Sequence, residues 1–386
     1  MSNDFIIKQL SSLDEIPSES WNSLIDTDNP FVRYEYLFGL ERFDCLKSHG
    51  WVPCHLVLYS GSSLTGALPL YIRTNSYGEF VFDWSWADAY ERAGGKYYPK
   101  LVSAIPFAPV SGPRLLVNPK HPQVDIVRQL LIEKVLQIIK SNHLSSYHCL
   151  FPTQSENIFL ENNLLQRHTV QYHWRNQGYL DFNDFLGSMN SKKRKQIRRE
   201  RKKIIESMIE IECYTGGQMN EYLWDVYYEF YCSTFHKRWG NPRLTKDFFS
   251  SLSNSMPSET LIILAKTGEN YIAGSFLMKG NDTLYGRHWG CVEQLPYLHF
   301  ELCYYQPIQY CIEKGINYFD AGVQGEHKLA RGFDPVITNS FHWIEDINFR
   351  TAIEEFLVHE KREINLYVNE LSLHLPYKNE AKIEIK

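Results

Sequence analysis

Apolar and polar positions along the chain predict the same order of secondary-structure elements twice. In each half, three strand-like segments are followed by an amphipathic helical stretch and two further strands. These strands are predicted at residues 55–59, 66–70, 80–84, 147–150 and 172–174 in the first half and at residues 260–264, 273–277, 284–289, 318–320 and 341–343 in the second. A repeated order of elements is typical of internal duplication. It predicts an α/β (α+β) fold with two tandem domains, residues 1–176 and 177–386, each a mixed, mainly antiparallel sheet flanked by helices.

The segments between these strands are predicted from the same pattern. Apolar residues recur at helical spacing over residues 124–140, which should form an amphipathic helix against the preceding strands. Its counterpart at residues 298–314 contains Pro307, which should bend the helix, and Gly315 should end it. Residues 87–122 are interrupted by glycine and proline, so we expect a long functional loop there.

Composition narrows the class of protein. The 386 residues are 44% hydrophobic, which suffices for two buried cores. No apolar run approaches the roughly 20 residues that cross a bilayer, and the first residues do not form a secretory leader. We therefore predict a cytoplasmic protein without integral membrane contact. The eight cysteines contain no CxxC pair, which favours buried thiols over disulfides.

Positive charge is concentrated in one segment, although the whole chain has a formal net charge of −5. Residues 192–203 contain nine Lys or Arg and a single acid, and they are predicted to lie in a basic helix at residues 190–207. Helical spacing places Arg194, Arg198 and Arg201 on one face, as candidates for binding phosphate or nucleic acid. Two alternatives are that the basic face of this helix is only solvated, or that it attaches the protein to a membrane surface.

An acidic and aromatic block follows the third predicted strand of the first half. It contains Asp83, Trp84, Trp86, Asp88 and Tyr90. Aromatic rings beside a carboxylate suit a site for a cationic amine, so we predict an acceptor site in which Asp83 or Asp88 binds the amine. Packing of the tryptophans in the core is the alternative.

Two segments carry a resemblance to a known family. Residues 78–90 (GEFVFDWSWADAY) and 319–328 (FDAGVQGEHK) resemble signatures of FemAB-like predicted N-acyltransferases of peptidoglycan biosynthesis or recognition. The resemblance covers nearly the whole chain. It implies two tandem GNAT-like domains and a transferase activity, but it does not imply a known donor. We expect acyl-CoA or aminoacyl-tRNA as the donor substrate.

Acyl transfer to an amine needs a route for the amine proton and stabilisation of the developing oxyanion. Glu326 and His327 follow a predicted strand and are candidates for the catalytic base, with His288 as a second candidate. The alternative to a catalytic role is structural: the Glu326 carboxylate caps the following short helix, and the His327 imidazole bonds to backbone. We expect the remaining polar and aromatic residues around these positions to bind substrate; they are Arg287, Trp289, Asp320, Gln324 and Lys328. His288 and Cys291 alone are too few ligands for a metal site, so no metal is predicted.

The donor is left open by the sequence. Acetyl-CoA users of the GNAT fold carry a glycine-rich loop after the central strand, whereas residues 290–296 read GCVEQLP. This difference argues against acetyl-CoA and leaves aminoacyl-tRNA open as the donor. The predicted function is transfer of an acyl or aminoacyl group to a small-molecule or peptide amine, and tRNA is a candidate partner. The alternative is a non-catalytic protein that recognises a cell-wall fragment or nucleic acid.

Overall fold

The computed structural model describes residues 5–236 and 240–378, and the chain divides into two compact units. Unit 1 comprises Met1–Thr169 and Ile337–Asn365, and unit 2 comprises Val170–Val336 and Leu366–Lys386. The predicted domains, residues 1–176 and 177–386, differ from these units chiefly because residues 337–365 return to unit 1. The outermost residues of both predicted domains lie outside the described residues.

Unit 1 contains two sheets and the helices that cover them. Its strands are β1 (Phe5–Leu10), β2 (Trp51–Pro53), β3 (His55–Ser60), β4 (Ser63–Leu68), β5 (Tyr71–Arg73), β6 (Lys100–Ser103), β7 (Leu116–Val117) and β8 (Ser146–Leu150). Its helices are α1 (Ser18–Asn22), α2 (Tyr34–Arg42), α3 (Trp84–Arg92), α4 (Val124–Asn142) and α5 (Gln154–Leu160). The order β1-β3-β4-β7 forms one sheet, and β8-β6-β5-β2 lie side by side in the other. The predicted helix at residues 124–140 is confirmed as α4, whose apolar face is buried.

Unit 2 has a sheet in the order β10-β11-β12-β13-β14. The chain enters it through β9 (Leu165–Arg175), α6 (Phe182–Ser188) and α7 (Ser191–Glu206). There follow β10 (Ile209–Thr215), α8 (Glu221–His236), α9 (Lys246–Ser255), β11 (Thr260–Thr267), β12 (Asn270–Lys279), β13 (Thr283–Cys291), α10 (Leu298–Phe300), α11 (Gln306–Lys314) and β14 (Tyr318–Val323). The last elements are β15 (Asp334–Ile344) and α12 (Ile347–Leu373). The three strands predicted between residues 260 and 289 are confirmed.

Each unit takes its closing strand from a distant part of the chain. In unit 2, β14 pairs with the end of β9, with Tyr318 opposite Arg175. In unit 1, β8 pairs with the end of β15, with Ser340 opposite Leu150. Consecutive elements are usually neighbours in space. The strand that follows β8 in sequence nevertheless belongs to unit 2, and the strand that follows β14 belongs to unit 1.

The prediction of a strand at residues 80–84 is wrong. Phe80 has φ +61° and Gly78 has φ +86°, and a left-handed residue ends an extended segment. Trp84 then begins α3. The counterpart of β13 in unit 1 is β6: it runs parallel to β8, as β13 runs parallel to β14. Residues 87–122 are therefore not one loop, because they contain β6 and β7.

The helix predicted at residues 298–314 contains a wide turn. Residues 301–305 form a π-helical turn between α10 and α11, and Pro307 lies in the first turn of α11. A proline lacks an amide donor and is tolerated at a helix start, so the π turn provides the bend that Pro307 was expected to cause. Gly315 ends the helix in the left-handed conformation, as predicted.

Each unit has its own hydrophobic core. In unit 1 it lies between α4 and the strands β3, β4, β6 and β8, and in unit 2 it lies between the sheet and the helices α6, α7 and α11. Five of the eight cysteines are buried as free thiols. In residues 5–236 and 240–378, no helix is both long enough and apolar enough to cross a membrane.

Candidate functional site

A cavity of about 130 Å³ lies in unit 2 where β13 and β14 separate. Over the described residues, the parallel pairing of these strands ends at Tyr285 and Asp320. The residues that follow on both strands line the cavity, together with β12 and the helix with the π turn. The lining residues are Ser275, Phe276, Leu277, Gly286, Arg287, His288, Trp289, His299, Cys303, Tyr304, Ala321 and Lys328.

Arg287 and Asp320 form an ion pair at the point where the strands separate. Arg287 Nη2 lies 2.6 Å from Asp320 Oδ2, and Nη1 donates to the carbonyl oxygens of Gly286 at 2.7 Å and Asp320 at 3.2 Å. Burial alone would raise the pKa of Asp320, but the Arg287 charge, the neighbouring His173 and the hydrogen bonds from Arg287 and the Gly322 amide together lower it. Both residues were predicted to bind substrate. The structure instead engages them with each other, because a buried carboxylate requires a partner.

Lys328 holds the turn that follows β14. Its ammonium donates to the carbonyl oxygens of Ala321 at 2.7 Å, Val323 at 3.2 Å and Gly322 at 3.4 Å. Burial lowers the pKa of Lys328 to about 8, so the group is still mainly charged at neutral pH. Lys328 therefore contributes a positive charge to the cavity wall. Gln324, in the same turn, is exposed and does not line the cavity.

Tyr304 and His327 connect the cavity with solvent. A hydrogen bond of 2.9 Å joins Tyr304 Oη and His327 Nε2. Tyr304 is 4% exposed and lines the cavity, whereas His327 is exposed. Burial raises the pKa of Tyr304, so its hydroxyl stays protonated. Burial, and then the charges of Arg331 and Lys328, lower the pKa of His327, so its imidazole is neutral at neutral pH. The two side chains form a continuous path for a proton.

The histidines inside the cavity are poor bases. Burial, and then the Arg287 charge, lowers the pKa of His288 to about 3. Burial lowers the pKa of His299 to about 4. A general base works best when its pKa lies near the working pH. The structure therefore does not support His288 as the base, although it places His288 and Trp289 in the cavity wall as neutral polar and aromatic groups.

Glu326 does not reach the cavity. Its side chain is exposed, and Oε1 accepts a hydrogen bond of 2.6 Å from the Tyr367 hydroxyl in α12. Glu326 and His327 are adjacent in sequence, but only the imidazole contacts a residue of the cavity wall. The prediction of Glu326 as a catalytic base is therefore not supported by its position.

The predicted acceptor site in unit 1 does not form around Asp83. This carboxylate is 1% exposed, and its Oδ2 accepts hydrogen bonds from Lys100 Nζ at 2.5 Å and Tyr97 Oη at 2.7 Å. Burial alone would raise the pKa of Asp83, but the Lys100 charge holds it far below its usual range. Asp83 does bind an amine, as expected, but that amine is the ammonium of Lys100.

The other members of the acidic and aromatic block point in different directions. Trp86 is buried against His342, with ring centroids 5.0 Å apart. Asp88 is exposed and pairs with Arg92 at 2.7 Å. Tyr90 packs edge-on against Phe349, and Trp84 is half exposed. Helical spacing places Trp86 and Tyr90 against one hydrophobic cluster and Trp84 and Asp88 towards solvent.

The basic helix is confirmed as α7, but its three candidate arginines are not equivalent. Arg198 is exposed and Arg194 is half-buried. Arg201 donates to Glu301 Oε1 at 3.1 Å and to Gln309 Oε1 at 3.0 Å, and its guanidinium lies over the Phe182 ring. Arg201 therefore attaches α7 to the rest of unit 2.

Tyr304, His299 and Cys303 line the cavity but were not predicted as site residues from the sequence. Residues 299 and 303 share a helix face at the ordinary spacing of four. Tyr304 joins them because the π turn brings residue i+5 to the same side as residue i+4. Pro307 signals an irregular helix, but it does not reveal where an extra residue is accommodated.

Comparison with known proteins gives the fold and the family. FemX is similar in structure, with 10% identity, a TM-score of 0.52, and coverage of 90% of this chain and 100% of that chain. The C-terminal domain of a putative lysylphosphatidylglycerol synthetase from Agrobacterium fabrum is also similar, with 8% identity, a TM-score of 0.50 and coverage of 87% and 94%. A tandem GNAT protein from the clavulanic acid biosynthesis pathway has 10% identity, a TM-score of 0.45 and coverage of 88% and 98%. No curated protein matches by sequence.

These similarities define the class of protein. The chain has a mixed α/β architecture of sheets flanked by helices, as the sequence predicted, and its fold is similar to that of FemX. The family model for FemAB-like proteins of peptidoglycan biosynthesis or recognition matches residues 12–379. The chain belongs to the FemAB-like family.

Proposed function

We propose that this protein is an N-acyltransferase whose active site is the cavity of unit 2. The observation that carries the proposal is the hydrogen bond between Tyr304, in the cavity wall, and His327, at the surface. Acyl transfer from a thioester to an amine must remove protons from the nitrogen as the amide forms. The Tyr304–His327 pair supplies that route without a charged base inside the cavity.

The reaction proceeds by direct attack. The amine nitrogen, as a free base, adds to the thioester carbonyl carbon, and its surplus proton moves to Tyr304 Oη while the Tyr304 proton moves to His327 Nε2. His327 releases this proton to solvent. The carbon–sulfur bond then breaks, the thiolate takes a proton from water, and the products are an amide and a free thiol. The charges of Arg287 and Lys328 in the wall favour the negative charge that develops on the carbonyl oxygen.

The charges of the cavity favour one kind of donor. Among the described residues that line it, none is Asp or Glu; Lys328 is cationic, and the charge of Arg287 is balanced by Asp320 behind the wall. An aminoacyl group carries an α-ammonium with a pKa of roughly 8, which would lie in this positive environment without a carboxylate partner. We therefore propose an uncharged acyl group on a CoA thioester as the donor and a small-molecule or peptide amine as the acceptor.

A transfer assay tests the proposal. Purified protein is incubated with a panel of acyl-CoA esters, or with charged tRNA, and a mixture of amines, and amide formation is followed by mass spectrometry. We expect transfer from short acyl-CoA esters. Tyr304→Phe should lower kcat by about 10²- to 10³-fold with little change in KM, since it removes the proton path and leaves the cavity shape.

Tyr310→Phe is the matched control, because Tyr310 lies on the same helix outside the cavity. It should leave kcat unchanged. Transfer from charged tRNA alone would correct the donor but keep the class of reaction. Donor binding without turnover in any combination would contradict the proposal and favour the non-catalytic binding protein.

A further inference from the structure

The outer face of α7 exposes a row of cations. Lys192, Lys195, Arg198 and Arg199 are exposed, and within the described part of the chain none of them lies within ion-pairing distance of an acid. Lys202 and Lys203, one turn further on, are exposed and share Glu206 at 3.6 Å and 3.0 Å. The helix therefore presents a strong excess of positive charge to solvent along about three turns.

The buried inner face of α7 holds the helix so that these cations face solvent. Ile197 and Ile204 are buried in the core of unit 2. Glu200 is buried as well and accepts hydrogen bonds from Tyr305 Oη and, at 3.0 Å, from Arg331 Nη2. A helix anchored by two apolar residues and a buried ionic contact cannot turn its cations inwards. The exposed row is a fixed surface of unit 2.

Aliphatic side chains are exposed beside the cations. Leu180 is 90% exposed and Ile205 is 74% exposed, and both line a groove of about 490 Å³ with Arg198 and Lys202. Met208, just beyond the end of α7, is 79% exposed. Asp181 and Glu313 also line the groove, so the excess positive charge lies along the helix and not within the groove.

We propose that this surface docks on an anionic lipid bilayer, with the cations at the headgroups and Leu180, Ile205 and Met208 inserted between them. Basic residues next to aliphatic side chains are the combination that interfacial helices use on anionic membranes. Single-stranded nucleic acid is bound instead by basic grooves whose aromatic rings stack on the bases. The aromatic residue of this groove, Phe182, is 8% exposed and packs under Arg201. The aliphatic residues therefore favour lipid over nucleic acid.

Vesicle sedimentation tests the proposal with the full chain. We expect binding to vesicles of three parts phosphatidylcholine and one part phosphatidylglycerol, and little binding to phosphatidylcholine alone. Arg198→Gln with Arg199→Gln should lower the partition coefficient about 30-fold at low salt. Leu180→Ser with Ile205→Ser should lower it about tenfold, and this loss should persist at high salt because it does not depend on charge.

Matched controls come from unit 1. Lys120→Gln with Lys140→Gln removes two exposed cations, and Ile158→Ser removes an aliphatic side chain that is 67% exposed. Both controls should bind vesicles as the unaltered protein does. Equal binding to neutral vesicles, equal losses in the controls, or absence of vesicle binding would overturn the proposal. Binding of a single-stranded oligonucleotide without vesicle binding would overturn it in favour of nucleic acid.

Discussion

Unit 1 and unit 2 share one arrangement of parallel strands but differ in the chain segment just beyond those strands. In unit 2, the chain beyond the paired part of β13 lines a cavity. In unit 1, residues 104–110 after β6 are buried throughout. Gly112 and Arg114 then donate to the carbonyl oxygens of Phe151 and Leu150 at the end of β8. Unit 1 therefore packs its own chain at the place where unit 2 has space.

The two units also differ in the acceptors that bind a buried arginine near the end of the parallel strands. Arg114 is fully buried, and its guanidinium donates to backbone carbonyl oxygens of Val110, Gly112, Pro113 and Leu150. Arg287 binds a carboxylate as well as carbonyl oxygens, and it lines the cavity. Burying an arginine requires that its donors are satisfied. In unit 1, backbone carbonyl oxygens accept the hydrogen bonds of Arg114, and in unit 2 the Asp320 carboxylate accepts hydrogen bonds of Arg287.

Filling the cavity should give the largest effect. Ala321 lines the cavity of unit 2, one residue beyond the last pair of β13 and β14. Ala321→Leu should weaken acyl-CoA binding about 100-fold with little change in thermal stability, because the added atoms occupy space that the donor needs. Isothermal titration calorimetry and thermal unfolding measure the two quantities. Unchanged donor affinity would mean that the donor does not enter this cavity.

A buried position in unit 1 should respond in the opposite way. Cys149, near the end of β8, belongs to the core of unit 1, as Ala321 packs against the core of unit 2, and it is fully buried. Cys149→Leu should lower the free energy of unfolding by about 1–3 kcal/mol, because it overpacks a filled core, and it should leave donor affinity unchanged. Denaturant unfolding gives the first value. A stable Cys149→Leu protein would show that unit 1 also has free space at this place.

Substitution of His327 should have a smaller effect, which appears in the pH dependence of transfer. The lowered pKa of His327 keeps its imidazole neutral above its own titration, so kcat/KM calculated for the free-base form of the amine should rise with pH through a midpoint below 6.5 and then stay level through neutrality. His327→Gln should remove this acid limb and lower kcat about tenfold, less than a directly acting acid–base group contributes. A pH profile of kcat/KM over both proteins measures the limb. If the acid limb persists in His327→Gln, a group other than His327 produces it.

Removing an exposed ion pair in unit 1 should have the smallest effect. Asp88 and Arg92 are both exposed, and pairs of this kind contribute little to stability. Asp88→Asn should leave the melting temperature and the transfer rate unchanged. A large loss of transfer would restore the predicted acceptor site on α3.

The sequence predicts the fold better than it predicts the site. The strands at residues 260–289 and the helix of residues 124–140 follow from local periodicity, which one sequence contains. The exchange of β9 and β15 between the units could not be predicted, since strand pairing depends on contacts far apart in the chain. The error at residues 80–84 has a local cause, because Gly78 signals a break but Phe80 rarely takes a left-handed conformation.

The site depends on partners that residue types do not reveal. Arg287, Asp320 and Asp83 are the charged residues that a sequence offers for binding substrate. Each forms an ion pair within its own unit, because a buried charge requires a partner of opposite charge. His327 was predicted from its chemistry, but its role depends on Tyr304, which a π turn brings into the cavity wall.

Whether the donor binds in the cavity of unit 2 can be seen in a crystal structure with a 2-oxoalkyl thioether analogue of an acyl-CoA, which resists transfer and retains a carbonyl group. We expect this carbonyl to lie between β13 and β14 in unit 2, within hydrogen-bonding distance of a position that an amine can share with Tyr304 Oη. An analogue bound in unit 1, or an acyl group outside the cavity lined by His288 and Ala321, would contradict this expectation.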